Sequence, residues 1–275
     1  MSIFKYENKE IFYQVDGKDE LPKLMILNGI MMSTKSWEPF IDNLTNHFQV
    51  IRLDFLDQGR STKLPNKTYT QDIQVELIKA LLDKLAIKKF NLVGISYGGE
   101  VALSFACKYQ DYLNRLALFN SSAYTNALLK DIGRSWIKAG KTRDGELYYK
   151  TTIPIIYSAS YYENKLDWMK NREKQLIPVF SDPEFLDAME RLTLSAESFD
   201  VRKDLNKLDI ETLIITAEED FLTPKKEQEY LVKNIKNSHW VTIPGVGHAS
   251  MYENPLLFMS LITGFFLIEN SQVKI

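Results

Sequence analysis

Short runs of β-branched and other apolar residues alternate along the chain with stretches whose apolar positions recur every three to four residues. That alternation predicts a mostly parallel sheet flanked by helices on both faces, an α/β architecture. Strands are predicted at Ile11 to Val15, Lys23 to Leu27, Gln49 to Leu53, Phe90 to Val93, Arg115 to Phe119, Glu211 to Thr216 and Trp240 to Ile243. Helical spacing falls between them, first at Trp37, Phe40, Ile41 and Leu44. It returns at Ile73, Leu77, Ile78, Leu81, Leu82 and Leu85, in a segment from Gln71 that Thr70 is placed to cap. Glu100 to Tyr109 and Pro255 to Leu267 are further helices, with Pro255 suited to a first turn, where its missing N–H costs nothing.

The strand rhythm stops after Phe119 and returns only at Glu211. The interval from Tyr124 to Phe199 is aromatic-rich and helical in pattern, interrupted by Pro154, Pro178 and Pro183. A bare loop of that length is uncommon in a compact domain, so the interval reads as a helical cap folded over one edge of the sheet. The predicted organisation is a core of residues 1–123 and 200–275 with a cap, 124–199, inserted in it. Tyr148, Tyr149, Tyr157, Tyr161, Tyr162 and Trp168 would then either face a pocket or a partner, or simply hold the cap helices together.

With 275 residues, 45% of them hydrophobic, the chain can bury one large core. Lys and Arg (34) nearly balance Asp and Glu (36), and the charges are interspersed, which argues against nucleic acid or an acidic membrane surface as partner. Cys107 is the one cysteine, so an intrachain disulfide and a cysteine zinc cluster are excluded and a reducing compartment is permitted. Charges recur through Met1 to Lys9, where a signal peptide would need an apolar run. Phe258 to Ile268 falls short of the roughly 20 apolar residues that span a bilayer and reads as a core helix. The expectation is a soluble cytoplasmic protein without nucleic-acid or membrane partners, compatible with a homodimer.

Gly94-Ile95-Ser96-Tyr97-Gly98-Gly99 matches G-x-S-x-G, a spacing that chance alone supplies in roughly one chain in ten of this length. Its position between a predicted strand and a predicted helix gives it a mechanism. The glycines permit a sharp turn, the serine is held strained with Oγ exposed, and the helix start offers unpaired N–H groups. A serine needs a base, and the base an orienting acid. Of the three histidines, His47 lies upstream of the serine and His239 starts a predicted strand, whereas His248 sits in the glycine-rich Pro244-Gly245-Val246-Gly247-His248 loop after the last strand. The acid belongs at the C-terminal end of a strand between serine and histidine, where Asp220 lies, with Glu218 and Glu219 as adjacent alternatives. The order Ser96, Asp220, His248 is the one expected of this turn type. Two donors for an oxyanion are predicted as the backbone N–H groups of Tyr97 and of Ile30, the latter in the turn after the Lys23 to Leu27 strand.

Together these segments resemble the α/β-hydrolase superfamily, in the branch of small capped esterases, enol-lactonases and related carbon–carbon bond hydrolases. The matching features are Leu27-Asn28-Gly29 with Trp37, the Asp54 to Ser61 stretch, the elbow at Ser96, Asp220 before Leu222-Thr223-Pro224, and Gly247-His248 before Glu253-Asn254-Pro255. The resemblance covers Leu24 to about Phe265 and is loose in the cap. Two departures stand out: Asn28-Gly29 where the family usually has His-Gly, and Asp57-Gln58-Gly59 where it commonly has Gly-x-Gly. Asn can hydrogen-bond locally and Asp tolerates unusual backbone angles, so both turns are expected to survive.

The function this implies is hydrolysis of a small or medium, apolar ester, thioester or lactone through an acyl-Ser96 intermediate. Carbon–carbon bond hydrolysis and acyl transfer would use the same residues, a ligand-binding receptor or an interfacial lipase would be further readings, and a dehalogenase would need an aspartate at position 96. Met31, Leu222 and Met251 are expected to contact substrate, or else to be core. No basic residue is placed beside the three catalytic candidates, so an acidic substrate is not expected. No metal or organic cofactor is implied.

Overall fold

A computed structural model describes residues 2–268 of the chain; Met1 and residues 269–275, at the outer ends of the two predicted core segments, lie outside the described residues. The chain opens on two strands, β1 (Ser2–Tyr6) and β2 (Lys9–Asp16), followed by β3 (Lys23–Leu27). A 3-10 turn (Thr34–Trp37) runs into α1 (Glu38–Leu44), and then come β4 (Gln49–Leu53), α2 (Asp72–Lys84), β5 (Phe90–Ile95), α3 (Tyr97–Tyr109) and β6 (Leu113–Phe119). Five helices follow without a strand: α4 (Ala127–Lys141), α5 (Gly145–Thr152), α6 (Ala159–Asn164), α7 (Leu166–Phe180) and α8 (Pro183–Ala196). The sheet resumes with β7 (Glu211–Ala217), α9 (Lys225–Asn234) and β8 (Ser238–Ile243), before α10 (Ser250–Glu253) and α11 (Pro255–Leu267).

Eight strands form one sheet in the order β1-β2-β4-β3-β5-β6-β7-β8. The β1/β2 and β2/β4 pairs are antiparallel and the rest parallel. Strand order reverses between β3 and β5, and in such sheets a crevice opens outside the carboxyl ends of the strands at that reversal. Side chains alternate faces with the period of two that strands impose. Met25, Leu27, Leu92, Leu116 and Leu118 pack with α2 and α3 on one side, and Ile26, Val93, Ala117 and Ile215 with Trp37, Phe40 and the α11 residues Phe258 and Ile262 on the other. Both faces are therefore covered, which is why the parallel strands read as nearly continuous apolar runs.

The structure differs from the pattern-based expectation at several ends. β1 was not predicted, because Ser2 to Tyr6 alternates with only Phe4 buried. Thr70 does not cap α2: its hydroxyl donates to Asp72 Oδ2 (3.0 Å), and Gln71, already in helical conformation, precedes the first helical residue. α3 begins at Tyr97, three residues before Glu100, because the helix starts directly on the serine turn. Helices α9 and α10 were not anticipated. α11 spans the predicted Pro255 to Leu267, with the Asn254 side chain accepting from Leu257 N at 3.1 Å.

The helices between β6 and β7 leave and rejoin the core side by side. Tyr124 bridges Asp200, Thr125 N donates to Phe199 O (3.0 Å), and Val201 N to Ala123 O (2.9 Å). Most of their aromatics pack on one another: Tyr148 meets Phe180 edge-on at 5.1 Å, and Tyr157 stacks on Tyr161 at 5.7 Å. Trp168 reaches Tyr252 on the core at 6.3 Å between ring centroids. Among the described residues no helix is long and apolar enough to cross a membrane.

Candidate active site

Ser96 stands between β5 and α3 with φ 53° and ψ −121°, a conformation that costs a non-glycine residue about 1–3 kcal/mol and persists only where its surroundings enforce it. They do so through close packing. A Cβ on Gly94 would lie 2.4 Å from Gly98 O, and one on Gly98 would lie 2.6 Å from the carbonyl oxygens of Leu27 and Asn28. The helix start thus rests directly on the end of β3, and this contact brings the serine turn and the Asn28–Ile30 turn together. Ser96 N donates to Phe119 O (3.0 Å), and Ser96 O accepts from Gly99 N and Glu100 N.

Asp220 is buried beyond the end of β7, where its carboxylate is held by three donors: Leu222 N at 2.8 Å, Thr223 N at 2.9 Å and Thr223 Oγ1 at 2.8 Å. Its Oδ2 also meets His248 Nδ1 at 2.7 Å. A carboxylate only accepts, so this contact puts the ring proton on Nδ1 and leaves Nε2 bare in the neutral imidazole. The His248 carbonyl accepts from Asn120 Nδ2 (2.6 Å), and Glu253 fixes the preceding turn through Gly247 N (3.1 Å). The alternatives are elsewhere: Glu218 and Glu219 are exposed, and Glu218 is engaged with Gly245 N at 2.8 Å. His47 and His239 are exposed, His239 lying 3.0 Å from Glu211.

Ser96 and His248 are walls of one cavity of about 190 Å³ between the sheet edge and the inserted helices. Ile30, Tyr97, Met31, Leu222 and Met251 line it too. Among the described residues Ser96 Oγ makes no hydrogen bond, and the amides of Ile30 and Tyr97 find no protein acceptor. The inserted helices add Leu129, Ile132, Trp136, Ile156, Tyr157 and Leu176, so the pocket is apolar around the serine.

Two polar residues on the wall of this cavity, and one behind it, were not found by sequence reasoning. Arg172, on α7, lines it with Nε buried and unpaired, its guanidinium over the Tyr252 ring at 5.2 Å. Sequence reasoning placed no basic residue beside the candidate residues; Arg172, far from them in sequence and on a helix whose rotation no motif reports, stands on the wall of the same cavity. Glu100, one turn into α3, also lines the cavity; burial pushes its carboxyl up to about 8, against hydrogen bonds from Gln71 and Ser122 that favour ionisation. Gln58 lies just behind the Ile30 turn, and its only sequence signal was that it falls within a departure from the family pattern.

That departure and its companion are both structurally used. Asp57 takes φ 68°, the left-handed conformation a glycine would supply, and its buried carboxylate receives the Arg191 guanidinium of α8 at 2.6 Å and the Tyr69 hydroxyl at 2.7 Å. Asn28 bridges Trp37 Nε1 (2.7 Å), Leu53 O (2.8 Å) and Gln58 Oε1 (3.0 Å). Both turns survive, as expected.

The sequence model of the family described as alpha/beta hydrolase fold matches residues 22–255 of this chain. A crystal structure of MGS-M2, an alpha/beta hydrolase enzyme from a Medee basin deep-sea metagenome library, superposes with a TM-score of 0.97 at 48% identity, covering 100% of both chains. RutD of Pseudomonas syringae pv. syringae, provisionally named a carbamate hydrolase, is 26% identical over 247 residues, 90% of this chain and 94% of its own length. The 3-oxoadipate enol-lactonase 1 of Acinetobacter baylyi is 24% identical over 267 residues, 96% of this chain and 95% of its own.

Proposed function

Because the chain belongs to the alpha/beta hydrolase fold family, we propose that it is a serine hydrolase that cleaves a small or medium, largely apolar ester, thioester or lactone through an acyl-Ser96 intermediate. The observation that carries this reading is the 2.7 Å contact between Asp220 and His248, on the wall of the same cavity as the strained Ser96. His248 Nε2 takes the proton from Ser96 Oγ as the oxygen attacks the carbonyl carbon. The oxyanion that forms accepts hydrogen bonds from Ile30 N and Tyr97 N, and because backbone amides supply them, the side chain at position 30 is free to contact the acyl group. The intermediate then collapses: His248 returns the proton to the leaving oxygen or, for a thioester, sulfur, and water repeats the cycle to free the acid. Met31, Leu222 and Met251 flank the acyl group, and residues 124–199 act as the cap that shelters it. The same steps apply to a carbamate carbonyl, the group in the name of the Pseudomonas relative; the apolar lining favours the ester or lactone.

The test is labelling with a fluorophosphonate probe together with turnover of p-nitrophenyl esters of graded acyl length. Wild type is expected to be labelled at Ser96 and to prefer short to medium acyl groups, and Ser96→Ala to lose label and at least about a thousandfold in rate with its fold intact. Unchanged turnover by Ser96→Ala would remove the nucleophile from this proposal.

A further inference from the structure

We infer that Gln58 is a positioning residue for the oxyanion donor: its side-chain amide holds the Gly29–Ile30 peptide with the Ile30 N–H turned away from Gln58, toward the cavity that Ser96 lines. The inference rests on the hydrolase reading above for its catalytic meaning, and on hydrogen bonds alone for its structural content.

The chain of contacts starts at a group with no freedom of role. The Trp37 indole nitrogen can only donate, and it lies 2.7 Å from Asn28 Oδ1, which fixes which end of the Asn28 amide is oxygen. The Asn28 nitrogen therefore faces Leu53 O (2.8 Å) and Gln58 Oε1 (3.0 Å), and the Gln58 orientation follows in turn. Its Nε2 is left to donate to Gly29 O at 2.9 Å and Ile30 O at 3.0 Å. Asn28 and Gln58 are almost wholly inaccessible to solvent, so water does not compete for these bonds. In a planar trans peptide the carbonyl and the following N–H point in opposite directions. Anchoring Gly29 O on Gln58 therefore directs Ile30 N–H the other way. Gly29 is the residue at which this peptide could otherwise rotate most cheaply, and a second bond, from Met32 N to Gly29 O at 3.1 Å, closes the turn without involving Ile30 O. Gln58 and Asn28 stand at the two departures from the family pattern and bond to one another across it.

The experiment compares wild type with Gln58→Met, which removes donor and acceptor at similar volume, and Gln58→Glu, which keeps the shape but replaces the donor pair by oxygen. On an activated ester both variants should lose about tenfold to a hundredfold in kcat, less than the full loss of one oxyanion donor, with KM changed less than about twofold. Affinity for a boronic acid that mimics the tetrahedral intermediate should fall by the same factor as kcat/KM, while affinity for the product carboxylic acid stays put. Gly-Ile pairs occur only at Gly29-Ile30 and Gly94-Ile95, so labelling glycine carbonyl with carbon-13 and isoleucine with nitrogen-15 gives two assignable amide signals. The Gly29-Ile30 signal should move in the variants and the other should not. Loss confined to KM, undiminished boronate affinity, or an unmoved Gly29-Ile30 signal would each overturn the inference. Failure of wild type to turn over esters or take the fluorophosphonate label would instead sink the hydrolase reading, and the amide signals would still report on what Gln58 holds.

Discussion

The sheet and the inserted helices build the same cavity by different means. On the sheet, Ile30, Ser96, Asp220 and His248 all follow the carboxyl ends of β3, β5, β7 and β8, and backbone geometry positions them: strand register, a strained turn, and glycines that admit close approach. The inserted helices supply much of the apolar lining and share one hydrophobic cluster with the sheet, and polar side-chain contacts add to that attachment. These include Arg191 on Asp57, the Tyr97 hydroxyl with Ser195 Oγ at 2.9 Å, Ser158 N on Glu253 at 3.0 Å and Asn126 Nδ2 on Glu227 at 3.0 Å. Ser96, Asp220 and His248 are thus positioned by the sheet's own turns, whereas each of these polar contacts of the inserted helices rests on a side chain that one substitution removes.

Breaking the strongest attachment should have the largest effect. Asp57→Ala leaves the Arg191 guanidinium, only 14% exposed, without its carboxylate, and deprives the Tyr69 hydroxyl and Leu64 N of their acceptor. Removing one partner of a buried pair costs about 3–5 kcal/mol, and urea unfolding should show a loss of that order, with limited proteolysis cutting first within 124–199. Asp57→Gly should recover about 1 kcal/mol of it, because glycine accepts the positive φ without strain. Pairing Asp57→Gly with Arg191→Met should recover more, since an apolar replacement of both partners is close to neutral. Stability within about 1 kcal/mol of wild type for Asp57→Ala would mean that the inserted helices are not held by this contact.

The same division explains how much could be read from sequence. The parallel strands, the helices on both faces and the Ser96, Asp220 and His248 positions follow from periodicity, strand ends and turn chemistry, all of which are local. The serine turn is a fair instance: six adjacent residues carry its glycines and its serine, although the contacts that hold it come from β3 and β6. Arg172, Glu100 and Gln58 were missed because each acts through contacts with residues remote in the chain. Arg172 reaches Tyr252, and Gln58 reaches Gly29 and Ile30, with no fixed spacing to betray either. The aromatic interval illustrates the limit from the other side. Its composition allowed pocket or packing, and the structure divides the list, with Tyr157 lining the cavity and Tyr148 buried against Phe180.

A smaller effect would test whether the inserted helices contribute to selectivity. Arg172 brings the cavity a guanidinium whose Nε has no partner, while the nearby Glu253 carboxylate is already taken by Ser158 and Gly247. Between two p-nitrophenyl esters of equal length, one ending in a carboxylate and one in a methyl group, the apolar lining should make wild type favour the second, with Arg172 narrowing the gap. Arg172→Met should slow the carboxylate-ended ester about tenfold, the size of one charge-assisted hydrogen bond, and leave the methyl-ended ester nearly unaffected. Equal losses on both esters would assign Arg172 to packing against Trp168 and Tyr252.

The smallest effect separates the two regions by pH. Glu100 belongs to the sheet side, in the first turn of α3, with Gln71 Nε2 donating to its Oε2 at 2.7 Å. Burial raises its carboxyl from an ordinary 4.5 to about 8. Between those two values the folded chain holds a proton that the unfolded chain has released, so stability falls as pH rises through the window and is greatest below it. Glu100→Gln keeps a hydrogen-bonding group of the same shape that cannot ionise, and its stability should lack this component. Measured by thermal unfolding from pH 5 to pH 9, wild type should lose at least about 1 kcal/mol relative to Glu100→Gln, since each unit of pKa shift is worth about 1.4 kcal/mol. Arg172→Met, on the opposite wall, should leave that difference unchanged. A wild type and a Glu100→Gln chain that run parallel across the range would show that Glu100 is ionised in the folded protein, and that the sheet side of the cavity is wetter than its lining implies.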